Sequence, residues 1–197
     1  MTVAVIKLGV GNTASVMFAL ERLGADAVLT NDPARVRDAE RVILPGVGAA
    51  SAAMRVLDGG LRDVLRAFQR PLLGICLGQQ LLYEFSHEGA VAGLGLLPGE
   101  VTPLEASAER PSPHMGWSAL EIVRQDALFE GVPNGGYAYF VHSFVCPVDG
   151  AATVVSDYGR PFAAAVASGN IYGCQFHPER SGALGARVLA NFLALPC

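Results

Sequence analysis

The chain has 197 residues, 51% hydrophobic and 16% charged, which fits one globular domain with a sizeable core and excludes a disordered segment. Its net charge of -4, with no basic stripe, argues against nucleic acid as a partner, and no apolar run reaches the length of a membrane span. The opening MTVAVIKLGVGN lacks the parts of a signal peptide, so a cytoplasmic location is expected, and Cys76, Cys146, Cys174 and Cys197 form no CxxC pair, so neither a metal nor a disulfide is expected.

In chain order, VAVIKLG (3–9) reads as a buried strand, and NTASVMFALERLG (12–24) as a helix closed by glycine. DAVLT and ERVILPG read as two further strands. AASAAMRVLDGGLRDVLRAF has helical spacing with a break at Gly59-Gly60, PLLGIC is another strand, and QQLLYEFSH the helix after it. This alternation predicts βαβ units and a parallel sheet covered by helices. The second half changes character. SALEIV, YAYFVHSF, ATVVSDY, FAAAVASG and IYGCQFH read as strands joined by short turns, an antiparallel extension that returns to the central sheet. SGALGARVLANFLALP closes the chain as a helix, and EASAERPSPHMG is the expected long surface loop. The expected fold is therefore α/β in a single domain, 1–197, with an open, mostly parallel sheet, flanking helices and an antiparallel extension.

Gly74-Ile75-Cys76-Leu77-Gly78 places a cysteine between glycines where a strand turns into a helix. At such an elbow the nucleophile is lifted clear of the backbone, and side chains two before and two after it would clash. The helix amino end favours the thiolate, and the Leu77 amide lies ready for an oxyanion. A thiolate nucleophile needs a base, and the base an orienting group. Of the four histidines, His87 falls in a polar segment after the predicted helix, His114 in the loop PSPHMGW and His142 in the strand YFVHSF. Only His177 has a carboxylate fixed nearby, Glu179, across the stiff Pro178. A third piece, LPGVG (44–48), ends a strand. Pro45 is expected to end the pairing there, and Gly46 and Gly48 permit a loop that turns backbone N–H groups towards a reacting centre.

These pieces, in this order, resemble the class I (triad) glutamine amidotransferases: GICLGQQLL matches their nucleophile segment and QFHPE their His-Glu segment. The likeness runs over nearly the whole chain and implies a three-layer fold. Within the class, PGVG, PHMGW, YFVHSF and the ending GCQFHPERSGALGARVLANF are similar to the glutaminase subunits of imidazole glycerol phosphate synthases. The resemblance implies Cys76 as nucleophile, His177 as general base and acid, Glu179 as its orienter, and Val47 with Leu77 as the oxyanion hole. It implies glutamine contacts from Gly48, Gln80, Ser143 and Phe144, and no cofactor. It also implies a heterodimer with a (β/α)8-barrel cyclase subunit, contacted by Asn12, Trp117, Tyr139 and Arg180. Two positions depart from the pattern: Arg180 stands where lysine is common and Ser118 where asparagine is common. Neither touches the triad.

Two other readings compete. Gly9-x-Gly11-x-x-Ala14, with Asp32 about 20 residues on, fits a dinucleotide-binding turn, but it leaves Cys76 and His-Pro-Glu unexplained. A glutaminase serving a different synthase stands closer, opposed only by the resemblance of PHMGW and PGVG.

Overall fold

The structure is a computed structural model that describes residues 2–9 and 13–197. Its elements in chain order are β1 (Thr2–Ile6), α1 (Thr13–Arg22), β2 (Asp26–Thr30), α2 (Pro33–Asp38), β3 (Arg41–Gly46), α3 (Ala50–Leu57), α4 (Leu61–Arg66), β4 (Leu72–Cys76) and α5 (Leu77–Leu81). There follow β5 (Tyr83–Ser86), β6 (Val91–Ala92), β7 (Leu97–Pro103), β8 (His114–Ala119), β9 (Glu121–Ile122), β10 (Tyr137–His142), β11 (Phe144–Val145), β12 (Ala152–Asp157), β13 (Pro161–Ser168), β14 (Ile171–Cys174) and α6 (Gly182–Ala194).

Eight strands form the central sheet in the order β2-β1-β3-β4-β14-β13-β12-β9. The pairs from β2 to β14 are parallel and those from β14 to β9 antiparallel. The extension thus returns to the centre, as the sequence suggests: β14 inserts beside β4 and brings the end of IYGCQFH next to the end of PLLGIC. The parallel strands β1, β3 and β4 are buried along nearly their whole length, which explains their unbroken apolar runs. One core lies between the sheet and α1 and α6, the other beneath α2 to α5, giving three layers. α6 buries Gly185, Val188, Leu189, Phe192 and Leu193, the spacing of one helical face. The break between α3 and α4 falls at Gly60, whose φ of 114° a side chain would resist.

Three local expectations are corrected. QQLLYEFSH is not one helix: α5 stops at Leu81, and Tyr83–Ser86 forms a strand parallel to β7, with Tyr83 wholly buried. The apolar positions there fit both periods, and pairing to β7, a strand the sequence reading passes over, decides for extended chain. Pro45 does not end the pairing of β3, since Pro45 and Gly46 remain in register with Ile75 and Cys76. Pairing to β1 on the other side ends at Ile43, so the missing N–H leaves no ladder bond unmade on that open edge. His87 follows a strand rather than a helix, and its imidazole pairs with Glu100 at the surface. Among the described residues no helix is long and apolar enough to cross a membrane.

Candidate active site

The carboxyl ends of β3, β4 and β14 converge, as ligand sites do in open α/β sheets. Cys76 sits at the end of β4 with φ 54° and ψ -109°, a conformation L residues rarely adopt, and Leu77 begins α5. The flanking glycines are required by contact. A Cβ on Gly74 would lie 2.6 Å from the backbone of Gly78 and Gln79, and one on Gly78 would lie 1.7 Å from the Leu44 carbonyl oxygen. Gly46 allows the 44–48 loop to pack on the elbow, since a Cβ there would come within 3.2 Å of Leu77 Cβ. Gly78→Ala is expected to cost more than about 4 kcal/mol of stability, because the obstructing atom is backbone in a buried strand. Urea unfolding measures this, and an unchanged midpoint would contradict the packing argument.

His177 follows β14. Its Nδ1 lies 2.9 Å from Glu179 Oε1, and both side chains are buried. The segment is braced: His177 N donates to the Tyr139 carbonyl, Ser181 Oγ donates to the His177 carbonyl, and Tyr139 N donates to Ser181 Oγ. Burial pushes the imidazole pKa down, but Cys76 and Glu179 beside it outweigh burial and raise it to about 10. Nε2 has no hydrogen-bond partner among the described residues. With the imidazole pKa so raised, the proton that Cys76 gives up stays on Nε2.

A cavity of about 240 Å³ opens over Cys76, lined by Val47, Gly48, Leu77, Gln80, Glu88, Pro113 and the run Val141 to Phe144. The sequence-predicted residues Val47, Leu77, Gly48, Gln80, Ser143 and Phe144 all line it. Glu88, which sequence reasoning misses, is the one carboxylate among the described residues that line it; it caps α3 by accepting from Ala50 N. Burial pushes the Glu88 carboxyl pKa up, against that hydrogen bond. In sequence Glu88 is one acidic residue in a polar turn, and nothing there marks it. A second, largely apolar cavity of about 270 Å³ shares Val47 and Val141 with the first; His177, Glu179, Arg180 and Thr13 also line it.

His114 is not in a loop. It opens β8, buried, with Nδ1 3.0 Å from His142 Nε2 and Nε2 2.9 Å from Ser118 Oγ. His142 Nδ1 must donate to the Phe144 carbonyl, 2.9 Å away, so its Nε2 accepts from His114 and His114 Nε2 accepts from Ser118. The serine at the departing position 118 thus has a defined partner. Burial, opposed by the bond to Phe144 and aided by His114 and His177, lowers His142 to about 3, and burial lowers His114 to about 4. Both pKa values are depressed from 6.5, so the unfolded chain takes up these protons first, and stability falls as the pH drops below that value. The melting temperature is expected to fall between about pH 6.5 and about pH 4, and less steeply in His142→Gln; equal slopes would contradict the neutral pair.

Of the interface expectations, Trp117 and Tyr139 are cross-strand neighbours on the β8–β10 ribbon, with ring centroids 5.9 Å apart. Met115, Trp117 and Tyr137 are 64%, 54% and 60% exposed. Val141, on the same ribbon face, reaches both cavities. Arg180 is exposed at the rim of the apolar cavity. Asn12 lies outside the described residues, as does Gly11 of the competing dinucleotide motif. Asp32, the ribose contact of that motif, is occupied as the N-cap of α2, accepting from Ala34 N.

The sequence model described as "Glutamine amidotransferase class-I" matches residues 4–195. The chain belongs to the class-I glutamine amidotransferase family. It is 50% identical over 194 residues to the imidazole glycerol phosphate synthase subunit HisH of Xanthomonas euvesicatoria, covering 98% of this chain and 97% of the relative. It is 47% identical over 200 residues to the same subunit of Vibrio parahaemolyticus, covering 98% of each. The fold is also that of a solved glutamine amidotransferase at a TM-score of 0.75 and 22% identity, over 98% of this chain and 97% of that one. A structure of PurLQS from Thermotoga maritima aligns with a TM-score of 0.71 at 22% identity and the same coverage. Membership in this family of glutamine-hydrolysing enzymes removes the dinucleotide reading.

Proposed function

We propose that the chain, as one amidotransferase domain over 1–197, is the glutaminase subunit of an imidazole glycerol phosphate synthase. The observation that carries the chemistry is a cysteine at a strand–helix elbow beside a His177–Glu179 pair 2.9 Å apart, under a cavity of about 240 Å³. His177 takes the Cys76 proton, and the thiolate attacks the side-chain amide carbon of glutamine. The oxyanion is met by the Leu77 amide, which as the first residue of α5 has no intrahelical acceptor, and by the Val47 amide. His177 then protonates the leaving ammonia, and water releases glutamate from the thioester. Gly48, Gln80, Ser143 and Phe144 hold the substrate, and Glu88 takes its α-ammonium.

The relatives' role as synthase subunits supports a second chain that uses the ammonia, a (β/α)8-barrel cyclase in a cytoplasmic heterodimer. The aromatic ribbon that carries exposed Trp117 and half-buried Tyr139, with Arg180 and Asn12, is its docking surface. The adjoining apolar cavity suits passage of neutral ammonia. The test is glutamate release by the chain alone, with empty cyclase, and with cyclase plus nucleotide ligand. The rate is expected to rise across this series, because the glycines flanking Val47 let its peptide swing between orientations that a partner can bias. Loss of one oxyanion donor costs about 10²–10³ in rate, which sets the scale. Equal rates in all three would remove the coupling.

Glu88→Gln is expected to raise KM for glutamine about 10- to 100-fold with kcat little changed, since it removes a hydrogen bond to a charged group. Unaltered KM would place the α-ammonium elsewhere.

A further inference from the structure

Gln175, just past the end of β14, is a buried amide with no exposed surface, set between the buried Cys174 and Phe176. Its Nε2 lies 3.6 Å from Cys76 Sγ, within hydrogen-bonding range for sulfur, and its Oε1 lies 3.0 Å from Gln80 Nε2. The second hydrogen of Gln80 Nε2 goes to the Phe144 carbonyl, at 2.9 Å.

This chain has a fixed direction. A backbone carbonyl only accepts, so Gln80 must present its NH₂ to Phe144. The same NH₂ then supplies Gln175 Oε1, which turns the Gln175 NH₂ towards sulfur. Reversing either amide would set donor against donor or oxygen against oxygen in a buried site. The Cys76 Sγ–H has a separate acceptor, the Val141 carbonyl at 3.7 Å, so the thiol and the thiolate have different partners.

We infer that Gln175 is a catalytic residue: its amide N–H donates to Cys76 Sγ once the proton has passed to His177 Nε2, so that the thiolate is held by two donors. No other bond changes in that step, and the Sγ–H proton is the only atom moved. When sulfur becomes acylated, its negative charge disappears and the hydrogen bond weakens; when the thioester is hydrolysed, it re-forms. The contact also joins the nucleophile to the substrate cavity, because Gln80, which orients Gln175, lines that cavity together with Phe144. The inference rests on the reading of Cys76 as nucleophile.

The test is the pH dependence of Cys76 alkylation by iodoacetamide, located by peptide mass spectrometry, in the full chain and in Gln175→Met and Gln175→Glu. Met keeps the length and removes the donor. Its midpoint is expected to move up by about one to two pH units, the scale of a hydrogen bond to a charged group. Glu is expected to move it up further, by placing a carboxylate beside sulfur. kcat is expected to fall in both, with a smaller change in KM. A merely structural role would lower activity without moving the midpoint, and an unmoved midpoint in the folded variants overturns the proposal. If circular dichroism shows that the variants do not fold, the unmutated protein decides by NMR. The Gln175 side-chain N–H resonance should titrate with the Cys76 midpoint, and a resonance indifferent to it overturns the proposal. The two readings stay distinguishable: failure of Cys76 to react ahead of exposed Cys197 contradicts the nucleophile, whereas normal reactivity with an unmoved midpoint contradicts only Gln175.

Discussion

Replacing Cys76 by alanine is expected to abolish glutamine hydrolysis while the assembled complex still forms product from added ammonium. The loss should be on the order of 10⁴ or more in kcat, because among the described residues no other thiol lines the cavity. Cys146 and Cys174 are buried, and burial raises both thiols, so neither can substitute. The ammonia-dependent reaction should survive because its chemistry belongs to the partner. Steady-state assays with each nitrogen source separate the two activities. An assembled mutant complex inactive with ammonium would contradict the division of labour.

His177→Asn is expected to be nearly as damaging, about 10³-fold or more in kcat, whereas Glu179→Gln should be milder. His177 moves protons at both the attack and the departure of ammonia; Glu179 fixes one tautomer through a 2.9 Å bond and stabilises the imidazolium. Glu179 acts on the imidazole both through that hydrogen bond and through its negative charge. With Gln at 179 the amide oxygen can still accept from Nδ1, but the charge is gone. Kinetics on folded variants decide the order; a Glu179→Gln enzyme slower than His177→Asn would reverse the assigned roles.

Much of the site was legible because its requirements are local. The clash at Gly74 and Gly78 is a property of five consecutive residues, and the His177–Glu179 contact spans two. What was not legible depends on distant pairing. Tyr83–Ser86 fits helical spacing until β7 is beside it. Pro45 looks like the end of a strand until the register shows β1 already gone from its open edge. His114 reads as a loop residue because His142, 28 positions away, supplies its partner. Gln175 carried a signal that went unused, a polar amide between Cys174 and Phe176, but its meaning needs the location of Cys76, 99 positions earlier.

The most direct measurement is mass spectrometry of the chain quenched in acid during turnover with glutamine. A γ-glutamyl adduct is expected on the peptide containing Cys76, present in the unmutated enzyme, absent in Cys76→Ala, and discharged as glutamate when turnover is allowed to finish. An enzyme that releases glutamate at full rate while the adduct sits on another residue, or that keeps its activity in Cys76→Ala, would contradict the role of Cys76 as nucleophile.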